Sequence, residues 1–452
     1  MKDLRKLFGT DGIRGIANKE LTAELALNVG HAGAKYLVEG KEKGRIIVGK
    51  DPRPSGDFIE HALIAGILSS GQDVLKAGII STPAVALLTK ILNLEGGVVI
   101  SASHNPLDDN GIKFFGKGGN KLRDKQEKAI EDYITDKDFK NNFCPTGTGV
   151  GRCRDLEDAK EIYLDYLLKN IKLNLEGCQI VLDCANGALS AIAPEAFSRL
   201  GAAVKSFNTD LEGENINRGC GSTHPDVLKK LVLDNKADFG FSFDGDGDRV
   251  IICDRKGRIL DGDNIIAFCA VNMAKVGRLK NNAVVTTVMA NMGFDKAMKE
   301  KNIKVFKTSV GDRYVLEKMN EIGAVFGGEQ SGHIIFKEIS PTGDGLVSAL
   351  QFLKTLVSTD YNPDDIYNII IRYPQVLKNV KVKNKKEIAD SSYLVEKVTA
   401  MEKRLGNDGR IVVRPSGTEP VIRVMIEAKT IEEANRVADM MSSYIIDYNK
   451  GK

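Results

Sequence analysis

Apolar residues in this chain gather in short unbroken runs, and three of those runs share one rhythm. Arg45–Ile79 ("RIIVGKDPRPSGDFIEHALIAGILSSGQDVLKAGI"), Cys178–Phe207 ("CQIVLDCANGALSAIAPEAFSRLGAAVKSF") and Asn282–Thr308 ("NAVVTTVMANMGFDKAMKEKNIKVFKT") each read as a β-branched strand, a small-polar loop, an amphipathic helix, a Gly or Asn break and a second strand. A short continuous apolar run marks a strand covered by helices on both faces. In the second segment the helical stretch stops at Gly201, a normal helix end before the chain turns back to the sheet. Three such units predict three α/β domains. After the polar "TDYNPDDI", Thr359–Ile366, the texture changes. "VLKNVKVKN", two helical runs and "GRIVVRPSGTEPVIRVMIEA" predict a smaller mixed sheet of another topology, a C-terminal α+β domain. The expected divisions are 1–150, 151–254, 255–370 and 371–452.

Composition narrows the class without naming it. A chain of 452 residues exceeds one ordinary core, and its 42% hydrophobic and 28% charged residues are those of a globular protein that needs no disulfide or structural metal to fold. Lys plus Arg total 64 against 61 for Asp plus Glu, a formal charge of +3, too small and dispersed for nucleic-acid binding. Seven cysteines without a C-x-x-C pair read as reduced, mostly core thiols. The start, "MKDLRKLFGTDGIRG", lacks a signal-peptide apolar run, and no stretch is long enough to span a bilayer. A cytoplasmic protein with local anion recognition is expected.

Four stretches carry candidate chemistry. In "GVVISASHNPLDDNGIKFFG", Gly97–Gly116, an apolar strand ends on Ser101, Ser103, His104 and Asn105, at the edge where open α/β sheets bind ligands. No G-x-S-x-G elbow surrounds Ser103, so a hydrolase nucleophile is disfavoured, and a turn or capping role competes. "ADFGFSFDGDGDRV" runs a strand into Asp244, Asp246 and Asp248, which an extended chain would point to one side. Three convergent carboxylates ask for a hard cation, Mg²⁺ before Ca²⁺. An EF-hand is excluded, because the positions that need Gly and Glu are Arg249 and Arg255. "VVRPSGTEPVIRVMIEA" offers a phosphate cradle in Arg414, Ser416, Gly417, Thr418 and Arg423. "GGEQSGHIIF" places Glu329, Ser331 and His333 in a glycine-rich loop entering a strand, where alternation would send all three the same way toward sugar hydroxyls; His333 alone reads better as a strand cap.

Together, from "FGTDGIRG" at Phe8–Gly15 to Glu427, these motifs resemble the α-D-phosphohexomutase superfamily, and the combination of "FGTDGIRG", "GEQSGH" and "RPSGTEPVIRVMIEA" is most similar to its bacterial phosphoglucosamine mutase family. The resemblance implies three related α/β domains and a fourth of different fold around a central cleft. It implies that Ser103, the serine before His, carries a phosphoryl group and joins the three aspartates in a Mg²⁺ site. His104, Lys113 and Arg249 would neighbour that phosphate, with Lys113 and His104 both candidates for acid–base help. Glu329 and Ser331 would bind sugar, and Arg414–Thr418 with Arg423 would clamp the other phosphate. The implied reaction interconverts glucosamine 6-phosphate and glucosamine 1-phosphate through a 1,6-bisphosphate, for UDP-N-acetylglucosamine and the cell wall, with hexosamine or glucose 1,6-bisphosphate as activator, in a monomer or homodimer. Gln330 stands where phosphomannomutase/phosphoglucomutase relatives usually carry Met, and Leu107-Asp108-Asp109 replaces an aromatic pair common in relatives. A phosphomannomutase/phosphoglucomutase, a Mg²⁺-dependent sugar phosphatase and a non-catalytic sugar-phosphate sensor are the rival readings.

Overall fold

The structure is a computed structural model, and it describes residues 7–9, 11–40, 43–136, 144–359, 361–416 and 420–450. Four sheets form. The first has seven strands in the spatial order Phe8–Gly9, Gly12–Ile16, Asp109–Gly116, Gly96–Ile100, Arg45–Lys50, Asp73–Ile79 and Cys153–Asp155. The second has five strands, with Gln179–Asp183 between Ala203–Phe207 and Phe239–Phe243, followed by Val250–Asp254 and Ile259–Leu260. The third orders Lys304–Thr308, Ala283–Thr287, Phe326–Gly328 and Ile334–Phe336, and the fourth has three strands. Within the first two repeats the paired strands are parallel, Arg45–Lys50 with Asp73–Ile79 and Gln179–Asp183 with Ala203–Phe207, as the strand–helix–strand pattern requires.

The chain divides into two compact units, residues 1–287 with 306–367, and residues 288–305 with 368–452. In the first, the helix Ala23–Leu37 begins at Thr22, whose hydroxyl accepts from Leu25 N, and it lies against the helix Ser55–Ser69. The two helices approach through Gly30 and Gly66: an added Cβ on Gly66 would overlap the Leu27 carbonyl, and one on Gly30 the Leu63 carbonyl. The helix Thr82–Ile91 is apolar nearly all round and buried from Thr82 to Thr89, capped by Ser81 and opened by Pro83. The strand Gly96–Ile100 beside it is wholly buried, so a continuous run, "GGVVI", is what its position demands.

In the second unit, the expected mixed sheet is in fact all antiparallel. Val421–Glu427 is central, flanked by Gln375–Lys381 and Arg410–Pro415, both antiparallel to it. The two flanking strands therefore run in the same direction, and the chain crosses from the first to the second through the helices Lys385–Ala389 and Ser392–Leu405. Ile422, Val424 and Ile426 point into a core with Ala434, Val437, Met441 and Ile445 of the helix Ile431–Lys450, each Val, Ile or Met side chain contributing about 1.5–3 kcal/mol. Glu427 is fully buried, paired with Arg410 at 2.9 Å, and accepts from Asn291 Nδ2 (3.1 Å) and Met292 N (3.0 Å). No cysteine is in a disulfide: Cys184, Cys220, Cys253 and Cys269 are buried, Cys178 is half-buried, and Cys144 and Cys153 are exposed. Among the described residues no helix is long and apolar enough to cross a membrane.

Candidate active site

Gly96–Ile100 pairs antiparallel with Asp109–Gly116, and the loop between them turns at Ser103. Ser103 is buried and takes φ +54°, a left-handed backbone that costs a Cβ-bearing residue about 1–2 kcal/mol. Three contacts hold it there. Its N–H donates to Ser101 Oγ (2.9 Å), and its carbonyl accepts from Arg53 Nη2 (3.1 Å) and Asn217 Nδ2 (2.9 Å). Ser101, a strand-end residue on sequence grounds, thus locks the loop, and its hydroxyl donates to Asp51 Oδ2 at 2.6 Å. Burial raises the Asp51 carboxyl even though Arg53 Nε sits 3.0 Å away. The consequence of this scaffold is that Ser103 Oγ donates to Asp244 Oδ2 at 2.7 Å and lies 3.2 Å from His104 Nδ1.

Asp244, Asp246 and Asp248 do converge, but not by the alternation of an extended chain. The strand Phe239–Phe243 ends and the chain turns, closed by Gly247 N to Asp244 O at 3.0 Å with Gly247 at φ +75°. A turn suits a cation site better than a strand, because it wraps several carboxylates around one point. All three are buried, with one oxygen of each within 4.8 Å of the others. Asp246 Oδ1 and Asp248 Oδ1 are buried and accept no hydrogen bond among the described residues. An all-oxygen set with orphaned buried acceptors fits a hard divalent cation.

Charge around the trio is closely balanced. Burial, then the Asp248 and Asp246 charges, raise Asp244 well above the usual carboxylate range. Burial would also raise Asp246, but the Lys113 ammonium at 2.8 Å and Thr82 Oγ1 at 2.6 Å outweigh it and hold Asp246 low. Burial works against the Lys113 charge, yet Asp11 (2.9 Å) and Asp246 push its pKa up to about 12. Burial and the Arg249 and Arg14 cations pull His104 down to about 4, so its imidazole is neutral near pH 7. Arg249 donates its N–H to Asp244 Oδ1 at 3.1 Å, and its Nε is 3.7 Å from Asp248 Oδ1.

The hairpin Phe326–Gly328 to Ile334–Phe336 carries Glu329, Ser331 and His333, and here too alternation fails. Glu329 N donates to His333 O (2.9 Å) and Gly332 N to Glu329 O (3.0 Å), a tight turn that buries Glu329 and His333 and leaves Ser331 exposed. Burial raises Glu329, whose Oε1 accepts from Gly311 N at 3.2 Å. Among the described residues the His333 ring makes no hydrogen bond as a strand cap would: its Nε2 lies 3.4 Å from Asp312, and its backbone bridges to Arg249. In the second unit, Arg414 and Arg423 are register partners on adjacent strands, which places them side by side on one face, and Ser416 O accepts from Lys385 Nζ at 2.6 Å. Gly417 and Thr418 lie outside the described residues.

Sequence reasoning missed the groups that hold these side chains: Asp11, Arg14, Asp51, Arg53, Thr82, Lys121, Asn217 and Asp312. Asp11 is gripped by Lys113, by Lys121 (2.7 Å) and by Arg14, and Lys121 also pairs with Asp312. One signal was available, because "GKDPRP" sets an Asp two residues before an Arg at the end of a buried strand. Asp11 and Arg14 lie in the "FGTDGIRG" motif, which carried the family resemblance but was given no role for either residue, whereas Thr82, Lys121, Asn217 and Asp312 come from distant parts of the chain and leave no local pattern.

Sequence comparison places the chain among known proteins. Family descriptions match in succession: Phosphoglucomutase/phosphomannomutase α/β/α domain I at residues 5–141, domain II at 161–257, domain III at 261–373 and the C-terminal domain at 377–443. A phosphoglucosamine mutase of Caldanaerobacter subterraneus is 49% identical, over 96% of this chain and 98% of its own. The crystal structure of a phosphoglucomutase/phosphomannomutase family protein from Burkholderia thailandensis superimposes with a TM-score of 0.81 at 24% identity, over 98% of this chain and 97% of that one. Aspergillus fumigatus N-acetylphosphoglucosamine mutase, solved with GlcNAc-6P and magnesium, shares the fold at a TM-score of 0.72 and 18% identity, over 98% and 96% of the two chains. With three α/β/α domains, an antiparallel C-terminal domain and a bacterial mutase matched over nearly its whole length, this chain belongs to the phosphoglucomutase/phosphomannomutase superfamily.

Proposed function

We infer that the protein is a phosphoglucosamine mutase, an isomerase that interconverts glucosamine 6-phosphate and glucosamine 1-phosphate through a phosphorylated Ser103. The observation that carries the mechanism is the Ser103 hydroxyl, fixed 2.7 Å from Asp244 beside three buried carboxylates. The likeness to the Caldanaerobacter phosphoglucosamine mutase supports the choice of sugar.

In the proposed cycle the phosphoryl group leaves Ser103 Oγ for a hydroxyl of the sugar monophosphate. That hydroxyl's proton ends on Oγ, and the resulting 1,6-bisphosphate turns over before its other phosphoryl group returns to Ser103. Phosphoryl transfer asks mostly for positioning and charge neutralisation, which explains why the serine needs no base of the hydrolase type. A Mg²⁺ held by Asp244, Asp246 and Asp248 would neutralise charge on the transferring group. Two side chains are proposed to carry the proton: His104, whose Nδ1 is 3.2 Å from Oγ, and Lys113, which pairs with Asp11 and Asp246. Arg249 adds positive charge beside Asp244. Glu329 and Ser331 are proposed to bind sugar hydroxyls, and Arg414, Ser416, Gly417, Thr418 and Arg423 the phosphate that is not in transfer. A hexosamine or glucose 1,6-bisphosphate is the proposed activator, and the cytoplasm the proposed location.

Ser103→Ala tests the scheme. The variant should keep its circular dichroism, lose mutase turnover and lose the single phosphate detected by intact mass. Normal turnover in Ser103→Ala excludes the mechanism. A panel of glucosamine, glucose and mannose 6-phosphates with bisphosphate activator tests the sugar, and release of free phosphate in place of isomerised product would turn the reading to a phosphatase.

A further inference from the structure

We infer that Thr82 is a positioning residue that presets the Asp246 carboxylate for a divalent cation; the inference rests on the metal reading of the aspartate trio. Thr82 opens the helix Thr82–Ile91 and is 1% exposed. It touches Asp246 twice. Its hydroxyl donates to Asp246 Oδ2 at 2.6 Å, and its backbone N–H donates to the Asp246 carbonyl at 2.9 Å.

Lys113 Nζ donates to the same Oδ2 at 2.8 Å. Two donors on one oxygen fix the rotation of the carboxylate about its last torsion, which is otherwise broad for aspartate. Oδ1 is then the Asp246 oxygen left without a hydrogen bond among the described residues, buried, in the cluster where one oxygen of each aspartate lies within 4.8 Å of the others. A ligating carboxylate whose second oxygen is held by protein donors is a preorganised ligand, and loss of such an outer partner typically weakens metal binding 10–100-fold. Lys113 alone cannot supply this. Its ammonium is shared with Asp11 at 2.9 Å, whereas the Thr82 hydroxyl sits on a β-branched side chain at the buried start of its helix.

The role can be isolated, because the backbone bond from Thr82 survives any side chain but proline. Thr82→Val keeps the shape and removes the donor, Thr82→Ala removes it with less bulk, and Thr82→Ser restores it. The readout is Mg²⁺ affinity by calorimetry on chelator-stripped, dephosphorylated protein, with thermal melting of the metal-free forms alongside. Thr82→Val and Thr82→Ala should bind Mg²⁺ about 10–100-fold more weakly than wild type, and Thr82→Ser within about threefold of it. Wild-type affinity in either hydroxyl-free variant, or a Thr82→Ser variant as weak as they are, overturns the inference while leaving the metal reading intact. Should Thr82→Val melt in the metal-free state, the Ala and Ser variants decide. No Mg²⁺ binding by the wild-type protein overturns the metal reading and the inference together.

Discussion

Arg53→Met probes how the serine loop is held in its left-handed turn. Arg53 is 1% exposed, and its guanidinium is spread over Asp51 Oδ2 (3.0 Å) and the carbonyls of Ser103 (3.1 Å), Asn105 (2.8 Å), Asp109 (2.9 Å) and Pro106. Methionine fills much of the same volume and donates nothing. Breaking a buried ion pair by removing one partner costs about 3–5 kcal/mol, and each carbonyl that stays dry and unpaired adds about 1–3 kcal/mol. The loop can relax to let water reach the carbonyls, so the ion-pair figure sets the scale: a loss of about 3–5 kcal/mol. Turnover should suffer separately, because Ser103 at φ +54° then rests on Ser101 and Asn217 alone, and a misplacement of about 1 Å costs roughly 100-fold. The pH dependence has a definite sign. Burial already raises Asp51, and losing Arg53 raises it further, so the folded variant binds a proton that the unfolded chain releases. A raised folded pKa contributes stability below the unfolded pKa that is lost as pH rises, so the variant's deficit should be smaller near about pH 5 than near about pH 8. Urea unfolding followed by circular dichroism at both values measures it. A loss below about 1 kcal/mol, or a deficit that widens toward low pH, would refute the reasoning.

Two further substitutions test the scaffold. Gly66→Ala should lower the melting temperature even though alanine is the better helix former by about 1 kcal/mol, because the new Cβ meets the Leu27 carbonyl across the helix pair; a higher melting temperature would show that the helices can part without cost. Asp344, 1% exposed, caps the helix Gly345–Val357 through Val347 N (3.0 Å) and accepts from Tyr163 OH (2.8 Å), and burial pushes its pKa up to about 6. Its raised pKa favours the fold below about pH 4 and costs up to about 3 kcal/mol once pH passes 6; Asp344→Asn should match wild type near pH 4 and exceed it near pH 7, and equal stability at both would sink the argument.

What the sequence disclosed and what it hid separate along one physical line. Patterns internal to a segment were readable: the parallel pairings inside Arg45–Ile79 and Cys178–Phe207 follow from continuous apolar runs around one helix, and the acidic trio follows from its position just past "FGFSF". Reasoning that extended a strand's alternation into its loop failed twice, at Asp244–Asp248 and at Glu329–His333, because in both places glycines at positive φ turn the chain. Alternation belongs to the pleat, but the strands end at Phe243 and Gly328, and Gly247 at +75° and Gly332 at +91° then turn the chain within each set of side chains. The C-terminal sheet, expected to be mixed, has antiparallel neighbours throughout, because short β-branched runs do not record the direction of their partners.

The groups that aim the site were the least legible. Ser103 is set by Asp51, Arg53 and Asn217, Asp246 by Thr82 and Lys113, and Lys113 in turn by Asp11, partners drawn from strands, loops and a helix end far apart in the chain. Each is a common polar residue whose meaning is its partner. A buried charge is tolerated only when paired, so every such residue costs stability unless the whole set is present. The identity of Ser103 could therefore be read from its own neighbours in sequence, whereas its readiness to carry a phosphoryl group depends on a set of donors that only the folded chain brings together. Weakening any one of them should alter metal affinity or turnover well before it alters secondary structure, and that separation is what the Thr82 and Arg53 variants measure.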